Sequence, residues 1–338
     1  MSRKRSEVLA GLAAVTGAVC LFVCGSTVVR AQVSMALTAP PLGAVFDAST
    51  GSLLPLQGVP GSAITGMPFA ISPLSAAAIS SEQGYALGVM ADSGAVVLIR
   101  FCSGPVSQKA LQAAAYPDRV VLSPTGTSAM LWNASRRTAD IISDLPSAPV
   151  LKSLDLTSID RDPDLFAISD DGATLLAAAS SANPGNVYRF QNDAQQVIPY
   201  SGQIASIAFL RKSKDALLTD LTAQCLTRLR NATGTDPQFS TVPASVAIGS
   251  GEAIGVSRDN TRALLADPSS RSLTVIDLSA KTASPALNCH CSIADLTPLN
   301  GPFLFRLSEV SGVPLAIVDA SLGKPSLTVV PIHHREAY

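Results

Sequence analysis

One pattern recurs along this chain and restricts its fold more than any other feature: an apolar stretch, a turn of Ser, Asp, Gly or Asn, a second apolar stretch, a polar loop and a third β-rich stretch. Three copies are clear. Leu122-Ser123-Pro124-Thr125-Gly126 leads into Ala129 to Trp132 and then Thr138 to Ile142. Ile168-Ser169-Asp170-Asp171-Gly172 leads into Thr174 to Ala178 and then Asn186 to Phe190, and Val256-Ser257-Arg258-Asp259-Asn260 leads into Arg262 to Ala266 and then Leu273 to Leu278. Weaker copies start at Ile79, Leu210 and Leu296. With the residue after the leading aliphatic as marker, the copies fall at Ser80, Ser123, Ser169, Arg211, Ser257 and Thr297. A spacing of about 40 to 50 residues, filled only by short strands and turns, is the length of a four-stranded propeller blade.

Each such blade is a small sheet with two apolar faces, which it buries by stacking on its neighbours around a ring. Fully apolar runs such as Leu175 to Ala179 are then strands covered on both faces, and Gly in the Ser-x-x-Gly turns supplies the positive φ of a tight hairpin. The expected fold is therefore all-β, a β-propeller of six or seven four-stranded blades. An N-terminal hairpin, Gly43 to Asp47 turning through Ser49-Thr50-Gly51 into Ser52 to Leu56, looks like the last two strands of another blade. It either completes a seventh blade or clasps a ring of six, because closure removes exposed strand edges. A pair of β-sandwiches is the competing architecture, and the regular spacing counts against it.

At these residues the chain resembles the bacterial secreted β-propeller repeats of the YVTN type, relatives in shape of lactonase-like propellers. Those repeats pair a Ser-Pro-Asp-Gly-like turn with a strand ending in Val-Ile-Asp, as in Ser169 to Gly172 and Ser272 to Leu278. The likeness covers most of residues 70 to 330. The Tyr-Val-Thr-Asn string itself is absent, and no WD40-type Gly-His and Trp-Asp signature recurs; Trp132 is the only tryptophan. The resemblance implies a WD40-like ring and says little about function. Lactonase-like propellers hold a metal in the central channel through Glu, Asn and Asp of several blades, and no matching ligand motif is found here.

Ahead of the repeats, Arg3, Lys4 and Arg5 precede an apolar run from Val8 to Val23, and Val29-Arg30-Ala31 fits a cleavage site before Gln32. This is the layout of a secretory signal, with an apolar run short for a membrane span. The expected organisation is signal peptide 1–31, linker 32–42, propeller 43–332 and tail 333–338, in a protein exported to the periplasm or the outside, without a membrane span after cleavage. The chain carries 24 Lys+Arg and 25 Asp+Glu, with no basic face, so nucleic acid is set aside as a partner. Charged residues are only 14% of the chain, which favours a large core under a Ser/Thr-type surface.

Cys102, Cys225, Cys289 and Cys291 remain after the signal and are disulfide candidates; four thiols allow three pairings. Cys289 and Cys291 flank His290, yet a zinc site needs about four ligands and the other histidines, His333 and His334, lie in the tail. Asp160, Asp162 and Asp164 alternate, as three oxygens around a cation would, but a solvated connection between blades is the simpler reading. Asp170-Asp171 reads as a hairpin turn, and Asp277 and Asp319 as turn-closing residues at equivalent strand ends. Asn133-Ala134-Ser135 and Asn231-Ala232-Thr233 match the glycosylation sequon.

No Gly-x-Ser-x-Gly elbow, P-loop or dinucleotide fingerprint is present. No catalytic residue, cofactor or metal ligand is assigned. The expected function is a non-enzymatic, monomeric scaffold that binds a protein or cell-envelope partner through its loops. The alternative is a propeller enzyme, a lactonase-like hydrolase or lyase, with convergent carboxylates and a metal in the central channel.

Overall fold

The strands predicted from the repeats form seven antiparallel sheets in a computed structural model that describes residues 40–102, 104–242, 253–291, 293, 296–308, 314–321 and 325–331. Blade 1 consists of Pro41–Asp47, Ser52–Gln57 and Ile64–Thr65. Blade 2 runs through Leu74–Ile79, Tyr85–Met90, Val96–Arg100 and Ser107–Ala110, and blade 3 through Arg119–Leu122, Ala129–Asn133, Thr138–Ser143 and Val150–Asp155. Blade 4 comprises Leu165–Ile168, Thr174–Ala178, Asn186–Gln191 and Ala194–Pro199, and blade 5 Ile204–Phe209, Ala216–Asp220, Cys225–Arg230 and Gln238–Val242. In blade 6 the strands Ala253–Val256, Arg262–Asp267 and Ser272–Asp277 are followed by two short ones, Thr282–Ala283 and Leu287–Asn288, both paired to Ser272–Asp277. Blade 7 closes the series with Thr297–Pro298, Leu304–Arg306, Leu315–Asp319 and Ser326–Val330.

The core is divided into one apolar cluster per blade interface. Leu175 and Ala177 face blade 3 and pack with Met130, Trp132 and Phe166, while Leu176 and Ala178 face blade 5 and pack with Phe209 and Leu218. A period of two with both faces covered explains why all of Thr174–Ala178 is buried. Trp132 and Phe166 meet at a centroid distance of 5.2 Å. Burying one such Leu contributes about 1.5–3 kcal/mol, so each interface is held by several side chains at once.

Seven interfaces, not six, carry such clusters. Leu42, Val45, Leu54 and Leu56 of the N-terminal hairpin pack on Leu304, Leu315, Ile317 and Val330 of blade 7, while Ala44 and Leu53 pack on Leu74, Ala86 and Ile99 of blade 2. The hairpin is thus a blade wedged between the two ends of the ring. It supplies the first two strands of a three-stranded sheet rather than the last two of a blade, because Ile64–Thr65 pairs onto Leu56 and Gln57. The turn chemistry shows which strands these are. Asp47 Oδ1 accepts from Ser49 N at 3.0 Å, as Asp267 Oδ1 does from Ser269 N at 3.0 Å, so Pro41–Asp47 is the counterpart of a second strand. Among the described residues, blade 1 has no counterpart of the inner strand.

The repeated Ser has a defined task. Each inner hairpin is closed by a backbone bond from Ser80 N to Tyr85 O, Ser123 N to Ser128 O, Ser169 N to Thr174 O, Leu210 N to Asp215 O, Ser257 N to Arg262 O, and Leu299 N to Leu304 O. Where Ser is present its Oγ also accepts from the returning strand, as from Thr174 N at 2.9 Å and Arg262 N at 3.0 Å. The structural equivalents in the weak copies are therefore Leu210 and Leu299 rather than Arg211 and Thr297. Without the Ser to mark it, the turn could not be aligned from sequence.

Positive φ recurs at one place in these turns, at Gln83 (56°), Gly126 (72°), Gly172 (70°) and Asn260 (59°). In blade 2 it thus falls on Gln83 and not on the neighbouring Gly84. A Cβ on Gly126 would lie 3.1 Å from Ser80 Cβ. Gly126→Ala is expected to lower stability by about 1–2 kcal/mol, measured as a reduced urea midpoint at unchanged m-value.

Candidate functional site in the central channel

The inner strands of blades 2 to 7 surround a central cavity of about 570 Å³. Its walls are the inner strands themselves, with Ser206 and Ala208 among the lining, while Ala167, Phe166 and Ile207 of the same strands also pack in the blade interfaces. Blade 1 contributes nothing to this lining among the described residues. Seven blades make the ring, and among the described residues six of them line the channel.

At one mouth the inner turns are stitched to one another. Ser81 Oγ donates to Pro124 O at 2.7 Å, joining blades 2 and 3. Asp170 accepts from Thr125 N at 2.7 Å and Thr125 Oγ1 at 2.6 Å with one oxygen and from Lys212 N at 2.6 Å with the other, joining blades 3, 4 and 5. Arg211 N donates to Asn260 Oδ1 at 2.9 Å, Arg258 N to Pro302 O at 3.2 Å, and Asn300 N to Leu42 O at 2.7 Å, which carries the chain of bonds through blades 6 and 7 into blade 1. Gln83 completes it, its Oε1 accepting from Ala44 N at 2.8 Å and its Nε2 donating to Pro298 O at 2.6 Å.

Three side chains then cross the mouth. Arg211 of blade 5 pairs with Glu82 of blade 2 and reaches Pro124 O at 3.3 Å; Arg258 of blade 6 lies 3.7 Å from the other Glu82 oxygen and donates to Ser81 O and to Leu299 O, the latter at 3.2 Å. Blades 2 and 5 face each other across the axis, so these side chains floor the channel. Arg258 Nε is buried without a hydrogen-bond partner. Burial holds the Arg258 guanidinium below its usual value; Glu82 works against this and Arg211 adds to it. Toward the opposite mouth, Arg119 opens the inner strand of blade 3 and donates to Asp164 O; the buried Arg306, in register with Thr297 two residues from the inner turn of blade 7, donates to Thr297 Oγ1 at 3.0 Å. Four guanidinium groups line the cavity, and no Asp, Glu or His is among the described residues that do so.

The carboxylates weighed in the sequence do not converge here. Asp162 lies 3.3 Å from Arg137 Nε, Asp164 caps Ser180 N at 2.7 Å, and Asp160 is exposed. Asp171 closes its hairpin by accepting from Ala173 N at 2.9 Å, whereas Asp170 is the interblade link described above. Asp277 and Asp319 cap the turns after their strands, accepting from Ser279 N at 2.9 Å and Ser321 N at 2.8 Å. Asn133 is buried with its Oδ1 accepting from Arg136 N at 3.0 Å, which makes the first sequon a turn device.

Cys289 and Cys291 are joined as a disulfide across one residue, with their Cα atoms 5.1 Å apart, which takes both sulfurs away from any metal-ligand role. Cys102 and Cys225 are free thiols, Cys102 donating to Gln83 O at 2.8 Å. The segment read as a signal peptide, residues 32–39 of the expected linker, and His333 and His334 of the tail lie outside the described residues. No helix among the described residues is long and apolar enough to cross a membrane.

No family model and no curated protein matches the chain. Solved structures do. A protein of unknown function from Desulfotomaculum acetoxidans superimposes with a TM-score of 0.59 at 17% identity over 86% of this chain and 99% of its own. A candidate 6-phosphogluconolactonase from Bacteroides uniformis gives 0.56 at 15% identity over 86% and 94%, and hydrazine synthase of Kuenenia stuttgartiensis 0.54 at 12% over 87% and 99%. At these identities the likeness is one of fold, and enzymes and proteins without an assigned role share it. The chain is a seven-bladed β-propeller.

Proposed function

We propose that the chain is an exported, non-enzymatic binding propeller that acts as a monomer on a protein or cell-envelope partner through its loops. The observation that carries this reading is the sign of charge in the channel. Among the described residues, four guanidinium groups line it, and the Glu82 carboxylate at its floor is held between two of them. A divalent cation, which the lactonase-like alternative needs at this place, meets like charge there instead of ligands. The resemblance of the repeats to the YVTN type and the signal-like layout of Arg3 to Ala31 support export to the periplasm or beyond.

The test is hydrolysis of 6-phosphogluconolactone and of simple γ- and δ-lactones by the purified protein, with and without added divalent metal. Rates equal to the uncatalysed reaction are expected. Turnover that scales with protein and disappears on chelation overturns the non-enzymatic reading and makes the channel an active site.

A further inference from the structure

Arg211 and Arg258 hold the same place in neighbouring blades. Each follows the residue whose N–H closes its inner hairpin, Leu210 in blade 5 and Ser257 in blade 6. Ser81, Pro124, Asp170 and Asn300 take that place in blades 2, 3, 4 and 7, so two cations stand side by side at one point of the mouth. Both arginines line the channel; among the described residues, Glu82 and Asp170 do not. Asp170 spends its oxygens on Thr125 and on Lys212 N. Glu82 is half exposed and spans the pair, one oxygen bonded to Arg211 Nη2 and the other 3.7 Å from Arg258 Nη1. A single carboxylate thus reaches both guanidinium groups, and among the described residues none approaches them from the channel side.

A guanidinium carries five N–H donors in a rigid fork, the shape best suited to carboxylate or phosphate oxygens. Arg211 bonds Glu82 and Pro124 O, Arg258 bonds Ser81 O and Leu299 O, and Arg258 Nε is buried without a partner. Donors therefore remain on both side chains. Burial and the neighbouring Arg211 both weigh against the Arg258 charge, a cost that an anion beside them lessens. The cavity leading to them, about 570 Å³ in volume, has low-dielectric walls that concentrate their field. We propose that the channel floor binds a compact oxyanion, a carboxylate or phosphate group, received by Arg211 and Arg258 from the channel side. Arg119 and Arg306 take no part in it. The site is additional to the loops through which the propeller is read to engage its partner, and does not depend on that reading.

The probes are acetate and inorganic phosphate, each titrated into the isotope-labelled full chain in exchange for chloride, so that ionic strength stays constant. The Nε–H magnetic-resonance signals of Arg211 and Arg258 are expected to shift along one saturable curve. That of Arg189, which does not line the channel, is expected to stay in place. Arg258→Lys keeps the charge but loses the fork, and is expected to weaken binding about tenfold, as is Arg211→Gln. Glu82→Gln is the decisive variant. It frees both guanidinium groups of their resident carboxylate and is expected to tighten the anion about tenfold. Its half-exposed side chain keeps the test readable where an arginine variant fails to fold. Saturation by acetate and phosphate alike supports a site for either head group, and saturation by one alone supports a site for that one. No saturable shift with either, or a Glu82→Gln variant that binds no more tightly than the parent, overturns the proposal and leaves the arginines as interblade ties. Neither anion has a bond for a lactonase to cut, so this failure leaves the non-enzymatic reading standing, and lactone turnover leaves the oxyanion site standing.

Discussion

Replacing Gln83 with Ala is expected to lower the stability of the whole ring by about 3 kcal/mol, although the residue belongs to a surface-type turn of blade 2. Its side chain is buried and bonds the buried Ala44 N of blade 1 and the half-buried Pro298 O of blade 7, so truncation removes the partner that Gln83 gives to each of these backbone groups. It also opens space beside Gly43, where a Cβ would lie 2.3 Å from Gln83 Oε1. Blade 1 shows no inner strand among the described residues, and this one amide occupies part of the edge that such a strand would cover. Gln83→Gly separates the two contributions. It loses the same bonds but relieves the positive φ of 56°, and is expected to be about 1 kcal/mol less damaging than Ala. Urea unfolding reads the total, and hydrogen exchange at the Ala44 amide reads the ring closure directly. An Ala44 amide as protected in Gln83→Ala as in the parent would show that the closure is held by something else.

Asp170→Ala is the second large effect, expected at about 2–4 kcal/mol. One carboxylate receives Thr125 N and Oγ1 from blade 3 and Lys212 N from blade 5, and so ties three consecutive blades at the mouth of the channel. Asp170→Asn is expected to recover only part of the loss, because its amide keeps one oxygen for Thr125 but turns an N–H toward Lys212 N. The neighbouring Asp171→Ala removes a turn bond within blade 4 only, from Ala173 N, together with the Ser169 hydroxyl contact, and is expected to cost about 1 kcal/mol. Equal losses at the two positions in denaturant unfolding would remove Asp170 from the interblade role assigned to it.

These two aspartates are adjacent, and the sequence treats them alike. Asp171 is legible because its partners, Ser169 and Ala173, stand two residues away, so the turn it closes is written in the local string. Asp170 is not, because its partners lie more than forty residues away on either side and become neighbours only when blades stack. The same holds for the channel floor, where Arg211 and Glu82 are 129 residues apart, and for Gln83 and Pro298, which are 215 apart. The cysteines divide likewise. The pairing of Cys289 with Cys291 is a matter of two residues, yet sequence left three pairings open, since reach alone does not choose between thiols.

What the sequence by itself determined is everything that repeats within one blade: the strand lengths, the apolar alternation that buries both faces, the Ser and Gly of the inner turns, and the Asp caps of the outer ones. Each depends on contacts a few residues apart, and each recurs because every blade solves the same local problem. The tertiary structure alone decided how many blades there are and what the channel carries. The blade number follows from whether the Pro41–Gln57 hairpin packs between blades 2 and 7, a matter of fit between surfaces some 250 residues apart. The channel's arginines come singly from blades 3, 5, 6 and 7; Arg211 and Arg258 stand in repeat turns, but Arg does not recur at that place in blades 2, 3, 4 and 7. They share one cavity only once the ring has closed.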